Sequence, residues 1–300
     1  CLLVFAYVPA PIQISLYPTS TGLSKIHYRL TDHHLDPPDQ KIYSTESLIY
    51  LNHPPIHFSP LIDSPKPETD IPVAHNHFIT FASFNNAAKI NTQVIEVWSQ
   101  ILRRIPSSKL VLKSGSYCST QAVNYYREEF EKQGIEKERL LLLPITSSRY
   151  EHLKLYNNVD IALDTFPFNG HITTLESLWM GVPVISLLGD RSFGRFSGCV
   201  LNHLNLAKYV AQDTTDYVEL AVNLASNKNE LTSLKKDLRQ KLLNSHLANS
   251  ASFVESVESA YRQVWTQCCE SPEFQKKLGH LDLQSIFENS VSLHEKKQFK

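Results

Sequence analysis

The sequence predicts an α/β protein, a doubly wound parallel sheet preceded by an incomplete N-terminal piece. Three observations carry that reading. From Ile71 onward, short apolar runs alternate with amphipathic stretches of helical length, the pattern of parallel strands joined by crossover helices. Residues 1–70 are proline-rich and show no helix-length periodicity, so they cannot complete an α/β domain by themselves. The stretch from Asp164 to Pro183 reads as the end of a strand, a turn and a helix, the place where such sheets present a ligand loop.

The apolar opening, residues 1–14, contains Pro9 and Pro11 and falls short of the roughly 20 residues of a membrane helix, so it is expected to be a core strand. Extended pieces follow at 12–16, 27–30 and 47–51, and Ser64-Pro65-Lys66-Pro67-Glu68 reads as a linker. Residues 78–84 form a buried strand. Val94, Val97, Trp98, Ile101, Leu102 and Ile105 then recur at helical spacing until Pro106. Residues 110–112 are the next strand, and a helix over 121–133, with Val123, Tyr126 and Phe130 on one side, is closed by Gly134. Residues 140–143 are again a strand, and Ser147 or Ser148 caps a helix to about Tyr156.

Residues 159–163 form a strand too short to be a helix, broken by Pro167, Asn169 and Gly170. Thr173 or Thr174 caps the next helix, which buries Leu175, Leu178 and Trp179 and stops at Gly181; residues 182–188 are a further strand. The rest is helical at 217–225, 230–243 and 253–268. The stripe Val254, Val257, Tyr261, Val264, Trp265 and Cys268 predicts that the last helix packs on a body. The expected division is 1–70, the remnant of a first domain; 71–268, the principal domain with its closing helices; and 269–300, a polar tail. A first residue of Cys rather than Met reads as a fragment whose upstream sequence is out of view.

Composition excludes several function classes. Lys and Arg number 29 against 30 Asp and Glu, a formal charge of -1, so nothing global favours nucleic acid or an anionic membrane, and any anion site must be local. Five scattered cysteines form no CxxC pair, which points to a reducing, cytoplasmic compartment. His33-His34 and His75-Asn76-His77 lack a second cluster at zinc-ligand spacing, so no structural metal is expected. Nine glycines without a G-x-G-x-x-G turn set aside a nicotinamide-dependent oxidoreductase.

In a doubly wound sheet ligands bind beyond the carboxyl ends of the strands. Three loops lie there: 85–89, 145–152 and 166–174. Gly170, His171, Thr173 and Thr174 stand where backbone N–H groups and the helix dipole favour an anion, and Glu176, one turn on, suits a ribose diol. A nucleotide satisfies both. The alternative, an ordinary strand-to-helix turn with a surface His and a solvated Glu, stays open on spacing alone.

Ala10-Pro11-Ile12-Gln13, Tyr17-Pro18-Thr19-Ser20-Thr21-Gly22, Tyr28-Arg29-Leu30-Thr31-Asp32, Phe84-Asn85-Asn86-Ala87-Ala88-Lys89-Ile90, Glu151-His152 and the segment from Asp164-Thr165 through Trp179-Met180-Gly181 supply a further observation. In this order they resemble O-GlcNAc transferase-like proteins, glycosyltransferase family 41, over residues 5 to 268. The resemblance implies a GT-B fold of two Rossmann-like lobes, the C-terminal lobe binding a UDP-sugar without metal or other cofactor. Lys89 matches the diphosphate-contacting lysine and, with His171, is the expected catalytic group. Asn86, Arg149 and His152 match nucleotide-contacting positions; Gly170, His171, Thr173, Thr174 and Glu176 match the phosphate loop and the ribose carboxylate. Tyr17 and Arg195 are cleft residues by the same resemblance.

The implied reaction moves a sugar, GlcNAc in first place, from UDP to a Ser or Thr hydroxyl of an acceptor protein or peptide, with inversion. Asn-directed hexosyl transfer and a non-catalytic UDP-sugar-binding or interaction module are the alternatives. Three departures favour the last of these. Ile172 replaces a hydroxyl-bearing residue, the segment before Tyr17-Pro18 is shortened, and the half-lobe with the family's catalytic His and the TPR repeats are not in this sequence.

Overall fold

A computed structural model describes residues 2–6, 10 and 12–272. The described residues up to Phe253 form one compact unit, and those from Val254 onward belong to a second. The first unit opens with three short parallel strands, β1 (Ile14–Ser15), β2 (Tyr28–Thr31) and β3 (Ser47–Tyr50), side by side in that order. Parallel neighbours need long crossovers. Here the crossovers are loops and a 3-10 turn at Pro38–Tyr43, held by buried polar side chains in place of packed helices. Arg29 is 1% exposed and grips Asp36 through two bonds of 2.8 and 2.9 Å, and Thr31 also donates to Asp36. Glu46 accepts from the Thr21 N–H at 2.7 Å, the Ser20 hydroxyl at 2.8 Å and the Ser44 hydroxyl at 2.9 Å, with Thr21 Oγ1 as a fourth donor.

The large sheet begins after a short helix, α1 (Val73–Asn76). In chain order it runs β4 (Thr80–Ser83), α2 (Thr92–Arg104), β5 (Lys109–Lys113), α3 (Thr120–Lys132), β6 (Leu140–Leu143), α4 (Arg149–Leu155), β7 (Ile161–Leu163), α5 (Ile172–Trp179), β8 (Val184–Leu187), α6 (Phe196–His203) and β9 (Val210–Ala211). Three helices follow, α7 (Thr214–Ser226), α8 (Lys228–Leu243) and α9 (Ser250–Glu270). The strand order is β6-β5-β4-β7-β8-β9, all parallel. The order reverses between β4 and β7, the switch point at which a doubly wound sheet opens a crevice. Its core is aliphatic and aromatic, with Phe81, Trp98, Ile101, Leu110, Leu112, Ile161, Leu175 and Tyr217 essentially inaccessible.

The expected strands and helices between 78 and 188 are all present, within a few residues at each end. Three elements escape the sequence pattern, the single-turn α1 and two later ones. In α6 every residue from Phe196 to Leu201 is buried, so the helix has no polar face and no periodicity to read; β9 has only two residues. The Thr caps are corrected: α5 begins at Ile172, so His171 holds the cap position, without a side-chain cap bond. Gly181 does stop the helix, at φ +73°, and a Cβ there would meet the Lys235 carbonyl at 2.6 Å.

The linker reading at 64–68 is corrected as well. Ser64 accepts from the Trp179 indole at 3.0 Å, the Pro65 carbonyl from Arg239 at 2.7 Å, and the Lys66 carbonyl from Asn157 at 3.2 Å. A segment with Pro65 and Pro67 lacks two of the N–H donors a ladder needs, so side chains take up its backbone groups and it becomes a fastened strap. Asp32 adds a second fastening: it accepts from His203 of α6 at 2.5 Å and Cys199 at 3.4 Å, and from the N–H groups of His34 and Leu35. Burial opposes ionisation of Asp32, but the bonds from His203 and Leu35 outweigh it and hold the carboxyl below its usual range. The opening residues proposed as a core strand include Leu2–Ala6, which is a 3-10 turn; positions 1, 7–9 and 11 of that reading, and the tail from 273, lie outside the described residues. No helix among the described residues is long and apolar enough to cross a membrane.

Burial opposes the charge of Glu46, and the Thr21, Ser20 and Ser44 donors overcome this and bring its pKa down to about 2. A depressed carboxylate stabilises the fold above its unfolded pKa near 4.5 and loses that contribution as pH falls toward 2. Glu46→Gln is therefore expected to cost about 2–3 kcal/mol at pH 7 and nothing near pH 2, read by urea denaturation across that range.

Candidate functional site

At the carboxyl end of β7 the chain carries Asp164, 2% exposed. Its carboxylate accepts from the N–H of Gly170 at 2.6 Å, the N–H of Thr165 at 2.9 Å and the Ser186 hydroxyl at 2.8 Å, with the Asn85 amide at 3.4 Å. Burial pushes its pKa up, while hydrogen bonds and the nearby Lys89 charge work against that. The turn between β7 and α5 is wrapped around this one group. Gly170 must be glycine, because a Cβ there would lie 2.6 Å from Thr173 Oγ1, 2.8 Å from Thr174 Oγ1 and 3.0 Å from Asp164 Oδ1.

Lys89 reaches the same turn from the loop after β4. Its Nζ donates to the Asn169 carbonyl at 2.7 Å and to Asn85 Oδ1 at 3.5 Å, and it lies 4.4 Å from the centre of the Phe168 ring. Asn85 Oδ1 also accepts from Thr173 Oγ1 at 3.1 Å. Burial lowers the Lys89 pKa, partly offset by Asp164. Beside it opens the N-terminus of α5. Among the described residues, none of the N–H groups of His171, Ile172, Thr173 and Thr174 has a partner. His171 Nε2 is likewise buried without one, and burial followed by the Lys89 charge lowers the pKa of that imidazole. A cation, a neutral imidazole and four unspent N–H groups converge where the helix dipole is positive, which makes a receptor for a polyanion.

One turn further along α5, Glu176 is 5% exposed and already engaged. Arg149 donates to Oε1 at 3.1 Å, and His152 Nε2 lies 3.0 Å from Oε2. Both come from α4, which Ser148 caps through its bond from the Glu151 N–H at 3.2 Å. His152 packs on Phe84 and Tyr156 at 5.6 and 5.7 Å between ring centres. A carboxylate held by an arginine and a histidine matches a diol by exchanging donors.

The structure thus brings together Lys89, Gly170, His171, Thr173, Glu176, Arg149 and His152. It turns other expected residues elsewhere. Thr174 is buried, its hydroxyl 2.6 Å from Ser197, and the Gly170 N–H is spent on Asp164, so neither offers that donor to a ligand. Asn86 is exposed and caps its own turn through the Ala88 N–H at 3.0 Å; its neighbour Asn85 is the amide in the site. Arg195 donates to the carbonyls of His34 at 3.0 Å and Gly189 at 2.9 Å, fastening the strand remnant to the large sheet. Tyr17 is 65% exposed and lines an apolar cleft with Ile14, Leu16 and Ile26. Asp164, Asn85 and Asn169 were missed as site residues. The apolar run ending at an acid was the available signal for Asp164; the sequence marks Asn169 only as a turn residue, whereas it is its carbonyl that matters and its side chain is fully buried.

Residues 71–257 match the family described as Glycosyl transferase family 41. A probable UDP-N-acetylglucosamine–peptide N-acetylglucosaminyltransferase, SPINDLY, of Arabidopsis thaliana is 38% identical over 266 residues, covering 87% of this chain and 29% of the relative. A second Arabidopsis protein of that description, SEC, is 29% identical over 283 residues, covering 90% of this chain and 28% of the relative. A mutant O-GlcNAc transferase of Thermobaculum terrenum superposes with a TM-score of 0.83 at 32% identity, covering 90% of this chain and 51% of that one. Sucrose-phosphate synthase of Thermosynechococcus elongatus, at 14% identity and a TM-score of 0.54, shares the fold. The chain spans less than a third of the length of these curated relatives.

Removing the Asp164 carboxylate leaves its donors stranded. Asp164→Ala is expected to lower stability by about 3–5 kcal/mol in chemical denaturation, because unsatisfied buried donors cost about 1–3 kcal/mol each. A variant as stable as the parent contradicts the central place of this group.

Proposed function

The chain belongs to glycosyl transferase family 41, and we propose that it forms the donor-binding part of an enzyme moving a sugar from a UDP-sugar to a protein side chain. The names of the relatives, a UDP-N-acetylglucosamine–peptide N-acetylglucosaminyltransferase and an O-GlcNAc transferase, support GlcNAc as the sugar and a peptide oxygen as the acceptor, here taken to be a Ser or Thr hydroxyl. The observation that carries the proposal is the Lys89 ammonium, 2.7 Å from the Asn169 carbonyl, facing the unspent N–H groups at the start of α5.

The diphosphate takes the place of that carbonyl as partner of Lys89. In-line attack of the acceptor oxygen on the anomeric carbon breaks the bond to UDP, and the electron pair goes to the β-phosphate oxygen. Lys89, the helix N-terminus and His171 meet that developing charge, which reduces the barrier only because they are already in place. These groups supply positive potential within the protein itself, so the reaction is proposed to need no metal. Glu176 takes the ribose hydroxyls, with Arg149 and His152 shifting to the nucleotide. Ile172 contributes no hydroxyl, and its side chain is 45% exposed. The scattered cysteines suit a reducing, cytoplasmic setting.

Calorimetry with UDP and UDP-GlcNAc in the presence of a chelator is expected to show binding that Lys89→Met weakens by about 10- to 100-fold, the value of a hydrogen bond from a charged group. Binding unchanged in Lys89→Met overturns the assignment of the lysine. Tighter binding of a nucleotide sugar with another base overturns the uridine donor.

A further inference from the structure

Lys113 is the last residue of β5, opposite Leu143 of β6, and is 8% exposed. Among the described residues its ammonium has no hydrogen-bond or ion-pair partner. A lysine offers three donors and no acceptor, and an ammonium at the end of a largely buried side chain is left free to donate to an oxygen that a ligand supplies. Burial lowers its pKa, and Glu176 is the charge that acts against that. The next residue ties this point to the donor site: Ser114 Oγ accepts from the Ala87 N–H at 3.2 Å, two residues before Lys89.

The two site lysines answer to different carboxylates. Lys89 feels Asp164, at the phosphate turn; Lys113 feels Glu176, at the ribose position. Lys89 stands on the β4–β7 crevice, whereas β5 is one strand further from β7. A nucleoside diphosphate laid along this edge with its phosphates at Lys89 and its ribose at Glu176 carries its base toward β5 and β6. Resting on the donor reading above, we propose that Lys113 is a specificity-determining residue whose ammonium donates to a ring carbonyl of the donor's nucleobase. Uracil and guanine carry such an oxygen; adenine does not.

The test is calorimetry of this chain with UDP, GDP, ADP and inorganic pyrophosphate, alongside Lys113→Met and Lys89→Met. Lys113→Met is expected to weaken UDP or GDP, whichever binds better to the parent, by about tenfold or more, to abolish the preference over ADP, and to leave pyrophosphate unchanged. Its melting temperature without ligand should hold or rise, since the ammonium removed has no partner among the described residues and is partly desolvated. Lys113→Gln, which keeps an N–H donor, is expected to lose less, and it is the variant read if Lys113→Met does not fold. An equal loss for pyrophosphate and every nucleotide overturns the proposal in favour of a phosphate contact, and no loss for any of them overturns it outright. If Lys89→Met loses UDP while Lys113→Met keeps it, only the role of Lys113 falls. If the folded parent binds no nucleotide, the donor reading itself fails and takes the role of Lys113 with it.

Discussion

The buried carboxylate of Asp164 is the constraint on which the site depends. Its oxygens bind groups from the loop after β4, from the turn before α5 and from β8, and its backbone carbonyl accepts from Tyr217 of α7 at 2.9 Å. A carboxylate removed from water is costly unless its lone pairs are filled, and here backbone and side-chain donors fill them. That requirement dictates the local shape. Gly170 is drawn in so closely that no side chain fits, Asn85 is held where it orients both Lys89 and Thr173, and the Asn169 carbonyl is turned toward Lys89. The N–H groups at the start of α5 stay unspent because the acid's donors come from earlier in the turn.

A second polar assembly does comparable work where the short three-stranded sheet meets the large one. His203 and Cys199 of α6 converge on Asp32, and Arg195 takes the His34 carbonyl. These contacts, with the strap at 64–68, explain why the described residues up to Asp70 share one compact unit with the large sheet and do not form a separate body. Such buried polar networks hold only when every member is satisfied, which ties the N-terminal strands to one position.

Much of the fold was legible because its signals are local. The alternation of apolar runs with helical periodicity between Ile79 and Leu187 reflects strands covered on both faces, and Gly134, Ser148 and Gly181 mark real ends. What was hidden depends on contacts distant in sequence. The uniform burial of α6 erases its period, the strap is fixed by Trp179 and Arg239 more than 100 residues away, and Asp32 meets His203 across 171 positions. The site shows the same division. The three loops and Lys89 could be located from strand ends, but spacing could not show that Glu176 is held by Arg149 and His152, that Thr174 turns to Ser197, or that Asn85 rather than Asn86 enters the site.

The most direct measurement is a crystal structure of the chain with UDP bound. The account requires the diphosphate between Lys89 Nζ and the first N–H groups of α5, with Lys89 released from the Asn169 carbonyl, the ribose hydroxyls on Glu176 and the Asp164 turn unchanged. UDP seated away from α5, or a Lys89 still bonded to Asn169 with the nucleotide present, contradicts it.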